Sequence, residues 1–114
     1  MTTHGLHGAA VERVYDELQA GKHLVPGHLW DGIVRHVIEG GKTGRFLQAL
    51  FDNDLRGAVC RADDVSLPAL RELALFMHNF TPSRCWGSPA EANRWREAGG
   101  IRGGAHLKPE LAAP

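Results

Sequence analysis

Gly41-Lys42-Thr43 matches the end of a phosphate loop, whose backbone amides cradle phosphates while Lys and Thr reach phosphate and magnesium. That pattern needs glycine five positions before Gly41, where His36 stands, and the triplet follows a predicted helix rather than a strand. A helix-terminating loop accounts for it better. Asp52, Asp54 and Asp63 meet the acidic positions of a calcium loop, with Gly57 at its turn, but Arg56 puts a cation where a ligand oxygen should point. His23, His28, Cys60 and Cys85 could offer zinc neutral imidazole and thiolate, yet no CxxC or HExxH spacing joins them, and an isolated cysteine is most often a small buried hydrophobe. Cys85 beside a histidine would be a nucleophile, but no nucleophile elbow surrounds it. Asp63-Asp64 precede a helix, whose positive end they favour, so capping explains them better than acid-base work. No catalytic group, metal or cofactor is expected.

The best remaining constellation is polar and aromatic: Asn53, Asp54, Arg56, Arg61 and Asp63, then Arg84 and Trp86. Arginine and tryptophan are the types that most often anchor protein interfaces. The competing reading is that Asp54 pairs with Arg61, or Asp63 with Arg84, to lock the connections between helices, while Trp86 plugs the core beneath them.

These residues must be held by helices. Val11, Val14, Tyr15 and Leu18 form one helical stripe, closed by Gly21. A second helix follows Pro26-Gly27, carries Leu29, Trp30, Ile33, Val34, Val37 and Ile38, and stops at Gly40-Gly41. A third follows Gly44 with Phe46, Leu47, Leu50 and Phe51, and Leu55, Ala58, Val59 and Ala62 continue a similar spacing. Asp52-Asn53-Asp54 should break or bend it, because short polar side chains compete for backbone hydrogen bonds and prefer to cap the next segment. The strongest helix is expected over residues 67–80, with Ser66 as N-cap, Pro68 in its first turn and Thr81-Pro82 ending it. Ser88-Pro89-Ala90-Glu91 is a capping box that opens a last helix through Trp95, ended by Gly99-Gly100.

No stretch alternates with period two, so the expected fold is all-α: a compact single-domain bundle of about five short helices with flexible termini. Its organisation reads as an N-terminal arm (1–8), a helical domain (9–98) and a Gly/Pro-containing tail (99–114). Leu, Ile, Val and Phe supply 27 of the 114 residues, enough for one core. The formal net charge is zero, which opposes a generic nucleic-acid binder, and little charge repulsion opposes a homo-oligomer. Two cysteines and the lack of a basic-then-apolar leader point to reducing cytoplasm, and no apolar run approaches the ~20 residues of a membrane span.

The segments Val25-Pro26-Gly27-His28-Leu29-Trp30-Asp31-Gly32-Ile33, Phe46-Leu47-Gln48-Ala49, Asn53-Asp54-Leu55, Arg61-Ala62-Asp63-Asp64 and Cys85-Trp86-Gly87-Ser88-Pro89 resemble a group of small uncharacterised phage and prophage proteins, over residues 24 to 95. The resemblance implies an accessory protein in the cytoplasm of an infected bacterial host. Such proteins commonly grip a host protein, among them inhibitors of CRISPR and other defence systems. The expectation is therefore a non-enzymatic protein that binds a host or phage protein through Asn53, Asp54, Arg56, Arg61, Asp63, Arg84 and Trp86. The alternative is a nucleic-acid-associated regulator using Arg94, Arg96 and Arg102 with Lys42 and Arg45. A small metal-binding protein or enzyme comes third.

Overall fold

A computed structural model describes residues 7–107. The described residues form six α-helices and no strand. Helix α1 (Gly8–Ala20) buries Val11, Val14 and Leu18 and leaves Tyr15 at its edge, 38% exposed. Gly21 ends it where the chain passes so close to Phe80 that a Cβ would stand 2.5 Å from that ring. Helix α2 (Gly27–Val34) turns Leu29, Trp30 and Ile33 inward.

The chain then widens into a π-helical turn, Arg35–Glu39, in which His36, Val37 and Ile38 are all buried. Three consecutive buried side chains are more than one stripe of an α-helix turns inward. Distant groups bond to the carbonyls of this looser winding. The Trp95 indole N–H donates to the His36 and Val37 oxygens, each at 3.1 Å. The Ile101 N–H donates to Val37 O at 3.1 Å and the Arg102 N–H to Ile38 O at 2.8 Å. Gly40, at φ 69°, ends the turn in the left-handed region.

Helix α3 (Arg45–Phe51) ends at the expected break. Asn53 has a φ of 59°, and Asp54 caps helix α4 (Leu55–Arg61) by accepting the Gly57 N–H at 2.9 Å. The helix expected from residue 67 begins later, as α5 (Leu70–Phe80). Ser66 does not cap it. Asp63 Oδ1 instead accepts the N–H groups of Val65 and Ser66, at 3.1 and 2.7 Å, and residues 64–69 run in turns. An aspartate that captures two amides ahead of Pro68, which has no N–H to give, delays the helix.

Helix α6 (Pro89–Ala98) opens as the capping box requires, with Ser88 Oγ accepting the Glu91 N–H at 3.1 Å. Past Gly99 the chain turns back onto the π turn, and Ile101 and Ala105 are buried in the core. Residues 101–107 thus pack against the body, and residues 108–114 lie outside the described residues, as do residues 1–6 of the expected arm. Gly100 marks the tightest approach: its φ is +66°, and a Cβ there would lie 2.6 Å from Gly40 N and Ile38 O. Leu18, Ile33, Phe51, Leu73, Phe76 and Trp95 fill the centre of one continuous core. No helix of the described residues is long and apolar enough to cross a membrane.

Candidate functional site

Helix α4 buries only Gly57 and Ala58. The apolar spacing continued from α3 therefore does not continue its core face: Leu55 is 73% exposed and Val59, one turn on, 43%. A Cβ on Gly57 would fall 2.3 Å from Asp54 Oδ2, so the position beside the capping carboxylate has no room for a side chain unless that carboxylate moves. The helix's stripe of larger side chains is left facing solvent. Val65 and Leu67, in the turns that follow, are also exposed.

Arg56 and Arg61 share a shallow depression with Asp54 and Cys60, and Arg61 and Arg45 share another with Asp52 and Asp54. The expected Asp54–Arg61 ion pair does not form, since Asp54 is turned to its helix terminus. Asp52 accepts a hydrogen bond from Gln48 at 2.9 Å. Arg45, Arg56 and Arg61 have no ion-pair partner among the described residues. On the other side of the cap, Asn53, Asp54 and Trp86 border an apolar cleft of about 120 Å³ floored by Ala58, Leu70 and Met77. Trp86 is half-buried, packed on the core and lining this cleft rather than plugging the centre. Arg84 sits in the short turn Ser83–Cys85, where it is half-buried.

Asp63 belongs to a cluster that sequence spacing does not signal. Its Oδ2 is 2.9 Å from His28 Nε2, and Ser66 Oγ is 3.4 Å from the same nitrogen. The Ser66 N–H and hydroxyl, and then His28, hold the Asp63 carboxyl below the usual aspartate range. Serine, histidine and aspartate are the residue types of a nucleophilic triad. A triad, however, holds Nδ1 with the carboxylate and leaves Nε2 to the hydroxyl. Here both oxygens compete for one nitrogen, and the arrangement fastens the turns after α4 to the start of α2.

Burial pushes the Cys85 thiol up to about 12, so it stays protonated at neutral pH, while Cys60 is exposed on α4. No group of three or more His, Cys, Asp or Glu placed to hold a metal ion occurs among the described residues. Gly41-Lys42-Thr43 lies in the loop between the π turn and α3, and the stretch that matched a calcium loop is helical from Leu55 to Arg61. Of the five basic residues proposed to face nucleic acid, Arg94 pairs with Glu91 at 2.8 Å and Arg102 with Glu39 at 3.8 Å. Arg96 has one guanidinium nitrogen buried without a hydrogen-bond partner.

With this geometry in place, comparison with known proteins adds no family: no protein-family model, curated protein or solved structure matches the chain.

Proposed function

We propose that this chain acts without catalysis, by binding another protein through the α4 face. One observation carries the reading: Leu55 and Val59 stand exposed on a helix that also presents Arg56 and Arg61, with Arg45 beside them, and none of these arginines is in an ion pair among the described residues. Exposed aliphatic groups among arginines fit a partner surface that offers apolar side chains to the strip and carboxylates to its border. The Trp86 cleft, which Leu55 also lines, extends the face toward the roughly 800 Å² that a stable interface covers on each partner. The phage-accessory form of the proposal, with a host protein such as a CRISPR component as target, is supported by the motif resemblance of residues 24 to 95.

Tagged wild-type chain and a Leu55→Asp/Val59→Asp variant, applied to bacterial lysate with quantitative mass spectrometry, test it. The wild type is expected to retain one partner saturably. The variant should retain it at least about tenfold less, because two aspartates desolvated in an apolar contact are strongly unfavourable. Both side chains are exposed, so the thermal midpoint should barely move. Equal retention by both proteins, or no saturable partner, overturns the proposal.

A further inference from the structure

A groove of about 460 Å³ runs between α1 and the segment formed by α2 and the π turn. Val11, Trp30, Val34 and Ile38 form its apolar lining, and Tyr15 stands at its edge. Five charged residues border it, three acidic and two basic: Glu12, Asp31, Glu39, Arg35 and Arg102. They are not equally available. Arg102 and Glu39 face each other at 3.8 Å. Arg35 lays its stem over Gly41 and donates to the Lys42 carbonyl at 3.4 Å. Glu12 and Asp31 have neither a hydrogen-bond nor an ion-pair partner for their carboxylates among the described residues.

We propose that this groove binds an organic cation, a guanidinium or primary ammonium head carried on an apolar stem. The two unpartnered carboxylates take the head, Tyr15, 38% exposed at the rim, supplies aromatic surface of the kind that attracts cations, and Val11, Trp30, Val34 and Ile38 line the groove for the stem. An anion would meet the unpaired acids, while Arg35 is turned to the Lys42 carbonyl and Arg102 faces Glu39. A purely apolar ligand would desolvate Glu12 and Asp31 without compensation. The volume lies within the range of small-ligand sites. The head can belong to a free small amine or to an arginine or lysine side chain of another protein. This site is separate from the α4 face, and neither proposal depends on the other.

Nuclear magnetic resonance titration of the full ¹⁵N-labelled chain at low salt tests the inference, with three probes: agmatine, acetyl-arginine amide and the uncharged acetyl-norvaline amide. Saturable shifts are expected from the charged probes, centred on Tyr15, Asp31 and the Trp30 indole, and none from the neutral one. Tighter binding of agmatine assigns a free amine, and tighter binding of the capped arginine assigns a protein side chain. The Glu12→Gln/Asp31→Asn variant should bind at least about tenfold more weakly with an unchanged thermal midpoint. No saturation by either charged probe up to about 10 mM, equal shifts from the neutral amide, or undiminished binding by the variant overturns it.

Discussion

Trp95→Ala is expected to cost about 4 to 5 kcal/mol of unfolding free energy, a large part of the roughly 5–15 kcal/mol of an ordinary domain. Trp95 is 1% exposed and among the largest fully buried side chains. Truncation removes its packing and leaves a cavity, a combination that typically costs 3–5 kcal/mol. It also takes away the indole donor shared by the His36 and Val37 carbonyls of the π turn. Val37 O keeps the Ile101 N–H and His36 O keeps the Gly40 N–H, so the added loss stays near the low end of about 1–3 kcal/mol for a deprived buried group. Trp95→Phe separates the two contributions: it retains most of the volume, loses the donor, and should cost about 2 kcal/mol. Urea denaturation followed by circular dichroism reads both. A loss below about 2 kcal/mol for Trp95→Ala would mean that Trp95 does not hold α6 to the π turn.

Acid should weaken the fold through His36, by about 3 kcal/mol between pH 6.5 and pH 4. The ring is fully buried, stacks on Phe51 with centroids 3.7 Å apart, and lies 2.8 Å from the Cys85 carbonyl oxygen. A neutral imidazole meets that contact by donating from Nε2, and its Nδ1 is buried without a hydrogen-bond partner. Burial pushes its pKa down to about 4; the Cys85 carbonyl opposes the shift and the Arg96 guanidinium adds to it. The unfolded chain, with an ordinary histidine near 6.5, takes up the proton first as pH falls. The contribution of His36 is therefore complete above pH 6.5 and is lost progressively down to about pH 4. His106, lowered by burial and by the nearby His7 and Arg13, adds to the slope in the same direction. His36→Gln should remove most of this pH dependence, whatever it does to stability at pH 7. An unchanged slope in that variant would show that His36 does not titrate with unfolding.

What the sequence reveals here is set by the range of the interaction. The buried positions of α1, the break at Asp52-Asn53-Asp54, the Asp54 cap and the Ser88 capping box all depend on groups within a turn or two of one another. The π turn does not. It is stabilised by an indole 59 residues beyond His36 and by backbone amides past Gly100, and nothing near Arg35 announces them. Ser66-Leu67-Pro68 satisfies every local sign of a helix start, yet Asp63 takes the amides first and His28, 35 residues before Asp63, fastens the turn. Leu55 and Val59 carry the spacing of a core stripe, but α4 turns Gly57 and Ala58 to the core instead, an orientation that no spacing within the helix announces. The seven residues picked from the sequence divide accordingly. Asn53, Asp54 and Trp86 share one cleft, Arg56 and Arg61 lie on α4, Asp63 joins His28 and Ser66, and Arg84 sits in the Ser83–Cys85 turn.

Site-specific photo-crosslinking addresses the α4 face most directly. A benzophenone side chain placed at Val59, and in a second protein at Gln19 on the exposed side of α1, is irradiated in bacterial lysate. A discrete adduct is expected from position 59 alone, suppressed when Arg56→Glu and Arg61→Glu are added. Matching adducts from both positions, or an adduct at 59 indifferent to the arginines, would contradict it.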